Sequence, residues 1–182
     1  MNISQIYNEH KNSVYRLALT YMHSAGETED ICHDVFIRPI QSRASVCKDK
    51  ERAWLMTVTA NLCKDRLRFL KRHASEKLPE DIPYTSGSTL EITDAVMSLS
   101  VKERTVIYLS YYEGDSTADI AKIQKISRSA VTSRLERARK HLKNRLEEEK
   151  MSDKYFEKYI KEMDSITISK EADESIYNDL LK

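Results

Sequence analysis

Arg128, Arg134, Arg137, Arg139 and Lys140 stand within the stretch SRSAVTSRLERARKHL, with Glu136 as the one acid among them. At this density guanidinium and ammonium groups bind phosphate, and an arginine can also read a guanine edge in the major groove. Read as a helix, the stretch starts at Ser127, whose hydroxyl can cap the first turn. Val131, Leu135, Ala138 and Leu142 then fall on one apolar stripe. Ser129, Thr132, Ser133, Glu136, Arg137 and Lys140 lie opposite, while Arg128, Arg134 and Arg139 flank the stripe. One side packs, and the other presents cations and short hydroxyls.

Other residues with chemistry in their side chains lead nowhere comparable. Asp30 and His33 have the i, i+3 spacing of a di-metal helical bundle, but such bundles need a second acid-x-x-His motif. Tyr7, Thr20, Leu70 and Ala138 precede the other histidines at that spacing. There is no glycine-rich phosphate loop and no G-x-S-x-G elbow. No metal, cofactor or enzymatic role is expected. Cys32, Cys47 and Cys63 match no zinc spacing, and their odd number argues against a disulfide framework. They read as reduced packing thiols.

The formal net charge of the 182 residues is only +1. That balance is an average. Residues 37–77 and 116–146 each carry net +7, and the stretches before, between and after them carry −3, −5 and −5. Two separate basic islands on sided helices suggest two contacts with one polyanion. The polar start, MNISQIYNEHKNS, lacks the order of a signal peptide. No apolar run reaches the roughly 20 residues that span a bilayer. A cytoplasmic protein without membrane insertion is expected.

Three Gly and three Pro favour an all-α fold. A first helix is predicted from about Ser4 to Met22, with Ile6, Val14, Leu17 and Tyr21 inward and a break at Gly26. A second starts near Thr28 as N-cap and ends or kinks at Pro39. A third runs from about Arg52 to His73. Its core stripe is Leu55, Val58, Leu62 and Phe69; its polar stripe is Asn61, Asp65, Arg68 and Arg72. Residues 74–90 have the composition of a linker. Short helices follow at about 90–98, 101–113 and 116–124, then the basic helix from about 128 to 148. STADIAKIQ, the turn KIS and the basic helix make a helix-turn-helix, with Ala121 at the close approach and Ile120, Ile123, Ile126 and Val131 as its small core.

Three blocks, in this order and spacing, carry a family resemblance. TEDICHDVFIRPI, AWLMTVTANLCKDRLR and SLSVKERTVIYLSYYEGDSTADIAKIQKISRSAVTSRLERARKHL resemble the extracytoplasmic-function (ECF) sigma factors of bacterial RNA polymerase. The resemblance covers residues 1 to about 146. It implies two small helical domains joined by a flexible linker: sigma region 2 over 1–75, a linker over 76–90, and a helix-turn-helix four-helix region 4 over 91–146. Residues 147–182 form an acidic C-terminal extension outside it. It also implies an alternative sigma factor that binds polymerase core and directs it to promoters, with promoter DNA and an anti-sigma factor as further partners.

Matched residue by residue, the resemblance places Glu29, Asp30, His33 and Asp34 on the core-docking helix. It places Asn61, Asp65, Arg68 and Arg72 at the minus-10 element, with Asn61 on a flipped base and the loop 42–50 helping to form its pocket. It places Arg128, Ser129, Thr132, Ser133, Glu136, Arg137 and Lys140 at the minus-35 element. Trp54 is read as a packing residue.

The chain departs from the family pattern in several places. His33 stands for glutamine, Asp34 for glutamate and Ser100 for proline. Pro39 interrupts a helix that commonly continues. Lys125 occupies a turn position where glycine is frequent, at a cost of about 1 kcal/mol if φ is positive. Ser129-Ala130 stands for Gly-Thr, and Thr132 for a basic residue. The extension reads either as a solvated acidic tail or as a helix, Tyr155–Met163, docked on a basic face. A weaker amphipathic stretch holds Ile176, Leu180 and Leu181. A helix-turn-helix regulator acting without polymerase core is the competing reading; it leaves the first basic island unexplained.

Overall fold

A computed structural model describes residues 3–41, 50–73, 91–145 and 153–181. Among these the chain is helical: α1 (Ile3–Met22), α2 (Ala25–Gln41), α3 (Glu51–Arg72), α4 (Glu91–Met97), α5 (Val101–Ile107), α6 (Thr117–Gln124), α7 (Arg128–Arg145), α8 (Asp153–Asp164) and α9 (Lys170–Leu180). A π-helical segment, Tyr108–Tyr112, continues α5. The helices form two compact units: α1, α2, α3 and α9 in one, and α4 to α8 with the π segment in the other.

In the first unit α1 packs on both α2 and α3. The inward residues expected of α1, Ile6, Val14, Leu17 and Tyr21, are all buried. Tyr7 meets Phe36 edge-on, with ring centroids 4.9 Å apart. Cys32 and Cys63 are buried free thiols whose pKa burial pushes up, so they pack as neutral groups. Arg66 of α3 grips Glu27 of α2 with two bonds, Nε to Oε2 at 2.5 Å and Nη2 to Oε1 at 2.8 Å.

Three local expectations are corrected here. The break after α1 lies at His23, whose φ is 56°, and not at Gly26, which is already helical. Thr28 is not an N-cap. Its N–H and hydroxyl both bond the Ser24 carbonyl, so it sits inside the first turn of α2. α2 runs through Pro39 to Gln41.

The core face of α3 is rotated from the expected stripe. Leu55, Met56, Thr59, Ala60 and Cys63 are buried, Val58 and Leu62 are half-buried, and Phe69 is 43 % exposed. Thr59 can turn inward because its hydroxyl donates to the Leu55 carbonyl at 2.7 Å. Trp54 is half-buried.

In the second unit α7 lies on α5 and α6, and α8 on α4 and the π segment. Ser100 heads α5. Its N–H and hydroxyl both donate to Glu103, as in a capping box, so the absence of proline there is compensated. Arg104 is buried and donates to the Met97 carbonyl at 2.8 Å, closing the corner between α4 and α5. In the extension, Tyr155, Tyr159 and Met163 of α8 and Ile176 and Leu180 of α9 are buried, while Leu181 is exposed.

Candidate nucleic-acid interface

The helix-turn-helix is built from its turn outward. Lys125 sits in the left-handed region, at φ 54° and ψ 51°. Its N–H bonds the Lys122 carbonyl at 3.2 Å, and the Ile126 N–H bonds the Ala121 carbonyl at 3.0 Å. These two bonds make a Schellman motif that closes α6 and turns the chain sharply. The positive φ anticipated at Lys125 is therefore present on a residue with a Cβ.

Ser127 then starts α7. Its hydroxyl accepts the Ala130 N–H at 3.2 Å, and its carbonyl accepts the Val131 N–H at 3.1 Å. Val131, Leu135, Ala138 and Leu142 are buried, as the period predicts. Ile120, Ala121 and Ile123 are buried beneath them, and Ile126 is half-buried.

The opposite face of α7 is open. Arg128, Ser129, Thr132, Ser133, Glu136, Arg137 and Lys140 are all exposed. Arg137 rests its Nε on the Ser133 carbonyl at 3.2 Å, and Thr132 donates to the Arg128 carbonyl at 3.2 Å. These bonds keep both side chains along the helix surface. Arg139 is held differently: its Nε donates to the Tyr111 hydroxyl at 2.6 Å. Phe156 of α8 stacks on the ring of that same tyrosine, with centroids 3.5 Å apart. Sequence periodicity put Arg139 on a flank but gave no sign of the tyrosine that fixes it.

The second polar row lies on α3. Asp65, Arg68 and Arg72 are exposed, and Asn61 is half-buried at the row's inner end. Arg68 pairs with Asp65, and the Arg72 Nε lies 3.4 Å from the Arg68 carbonyl. Phe69, missed as a surface residue, stacks on His73 at 4.1 Å beside this row. Of the loop 42–50, residues 42–49 lie outside the described residues, as do 74–90.

On α2, Asp30 is exposed, and Glu29, His33 and Asp34 are half-buried. His33 Nε2 lies 3.0 Å from Asp179 Oδ2 of α9. That contact joins a predicted docking residue to the C-terminal extension. Among the described residues no cluster of His, Cys, Asp and Glu could hold a metal ion. Among them, too, no helix is long and apolar enough to cross a membrane.

The sequence matches two family descriptions, Sigma-70 region 2 over residues 6–73 and Sigma-70 region 4 over 89–142. It is 33 % identical over 156 residues to the ECF RNA polymerase sigma factor SigL of Mycobacterium tuberculosis, covering 79 % of this chain and 88 % of the relative. The chain belongs to the ECF sigma factors. SigW of Bacillus subtilis is 27 % identical over 164 residues, with 79 % and 88 % covered. A solved structure, the sigma factor RpoE in complex with the anti-sigma factor NepR from Bartonella quintana, superposes with a TM-score of 0.61 at 20 % identity. It covers 77 % of this chain and 93 % of that one, and at that identity it establishes the shared all-α fold. As an ECF sigma factor the protein is a transcription initiation factor.

Proposed function

We propose that this sigma factor contacts polymerase core through α2, the minus-10 element through α3 and the minus-35 element through α7. The observation that carries the reading is the α7 face: seven polar or cationic residues, all exposed, opposite a fully buried stripe and behind a closed helix-turn-helix corner. Phosphate contacts from Arg128 and Lys140 position this helix, while Ser133, Glu136 and Arg137 read base edges. Asn61 holds an extruded minus-10 base, and Arg68 and Arg72 grip the backbone beside it. Glu29, Asp30 and Asp34, with His33 among them, offer an acidic surface to a basic part of core.

On this reading the protein supplies binding and duplex opening and no bond chemistry, and it acts in the cytoplasm, where polymerase works. An anti-sigma factor is a further partner, as one is for the structural neighbour. The test mixes the purified chain with sigma-free polymerase core and scores promoter-dependent transcription. Asp34→Lys should weaken co-purification with core at unchanged helicity. Unchanged co-purification would remove core docking from α2.

A further inference from the structure

α9 lies in the same unit as α1 and α2 and packs on both. Ser169 caps it, accepting the Ala172 N–H at 3.2 Å, and Ile176 and Leu180 are its buried residues. Polar bonds to α1 and α2 fix it. Asp173 accepts from the Tyr7 hydroxyl at 2.7 Å and from Lys11 Nζ at 2.6 Å, and Asp179 meets His33 at 3.0 Å. Burial alone would raise the Asp173 carboxyl; the bonds from Lys11 and Tyr7 outweigh it and hold the group below the usual carboxylate range. The contact is built as a docked helix.

His33 is the point that matters. It is one of the four residues assigned to core, and Glu29 lies one helical turn before it on the same stripe. A partner seated on that stripe and α9 cannot both be in place. We propose that α9 and polymerase core compete for this face of α1 and α2, so that the C-terminal extension occupies the core-docking surface until core displaces it. The proposal rests on the assignment of α2 to core.

Charge gives the competition its direction. α9 carries Glu171, Asp173, Glu174 and Asp179 against Lys170, and it lies on a helix that offers Glu29, Asp30 and Asp34. The side chains that meet the acids of α9 are Tyr7, Lys11 and His33, whereas Arg66 of α3 is a basic group near Asp30 and Asp34. A basic occupant has the opposite sign and the electrostatic advantage. An isolated helix of eleven residues is also marginal in water, so undocked α9 gains nothing by staying helical. The cover is therefore held well enough to form and weakly enough to yield. Because it is tethered, it returns without a second molecule.

The experiment measures the affinity of the full chain for sigma-free core, as wild type, Ile176→Glu and Asp179→Asn. It also follows hydrogen exchange of the 170–180 amides with and without core. Removing a competing state raises apparent affinity by the fraction it held back, so Ile176→Glu should bind roughly tenfold tighter and Asp179→Asn a few-fold tighter. The α9 amides should lose protection when core binds. Unchanged or weaker binding by both variants, with α9 still protected on core, overturns the proposal. Asp34→Lys in the Ile176→Glu background separates the two readings. If it weakens binding while α9 neither affects affinity nor opens, the competition alone falls. If it binds core as well as its parent, the α2 assignment falls and the competition with it.

Discussion

Glu103 Oε1 of α5 lies 3.2 Å from His141 Nδ1 of α7. The same carboxylate takes the Ser100 N–H and hydroxyl through Oε2. One buried acid thus closes the start of α5 and meets the last part of α7. Glu103→Ala should destabilise the second unit by about 1–2 kcal/mol, the usual range for a lost cap plus stranded donors. Thermal unfolding of the full chain measures it, and Glu103→Gln should recover part of the loss.

The same residue predicts a pH dependence. Burial tends to raise the Glu103 carboxyl, but bonds from Ser100 and the nearby His141 outweigh it and leave the group below its ordinary value. A depressed folded pKa adds stability that is complete above the unfolded value of about 4.3 and is lost as pH falls through the folded value. The wild-type excess over Glu103→Gln should therefore hold at pH 6 and shrink below about pH 4. An excess that persisted undiminished at pH 3 would remove the ionised carboxylate from the account.

Lys125 is strained where glycine would not be. The left-handed conformation costs a residue with a Cβ about 1–2 kcal/mol, and glycine loses about 0.5–1 kcal/mol in chain entropy. Lys125→Gly should then stabilise the unit by about 0.5–1 kcal/mol. If α7 faces DNA as proposed, removing a positive charge beside it should weaken non-specific binding slightly in the same variant, so stability and affinity should move in opposite directions.

Asn61→Ala tests the minus-10 assignment. Asn61 sits half-buried at the inner end of a row whose other members, Asp65, Arg68 and Arg72, are exposed. If it holds an extruded base, the variant should impair opening of duplex promoter more than binding of an already single-stranded template, because extrusion costs a few kcal/mol only on the duplex. Equal loss on both would make Asn61 structural.

The period of the sequence was a sound guide wherever apolar residues alone decide a face. Val131, Leu135, Ala138 and Leu142 are such a case, and so is the inward side of α1. It misled on α3, because a hydroxyl that bonds the carbonyl one turn back, as Thr59 does with Leu55, can replace a hydrocarbon in the core. Phe69 then stays outside, where Arg66 and His73 cover its ring. The docking of α9 was not legible at all. Its anchors are two aspartates that meet Tyr7, Lys11 and His33 from the far end of the chain, and no local spacing encodes that pairing. The positive φ at Lys125 was readable only through the family resemblance, which places glycine at that turn position.

Arg137 and Lys140 are the pair that tests whether reading and positioning are separate on α7. Both are exposed, and Arg137 lies along the helix with its Nε on the Ser133 carbonyl, so that bond leaves its terminal guanidinium nitrogens unused. Lys140 is almost one turn further on, toward the end where His141 meets Glu103, and the proposed function assigns it to phosphate. Lys140→Ala should weaken binding about equally on all sequences and lower the salt slope by about one. Arg137→Ala should cost about 1–3 kcal/mol on the cognate minus-35 duplex and relax preference at one base position. The measurement is binding of the full chain to cognate and scrambled duplexes at several salt concentrations. Equal losses on both duplexes for Arg137→Ala would make it a phosphate contact and shift base reading to Ser133 and Glu136. No loss for either substitution would take α7 out of the groove altogether.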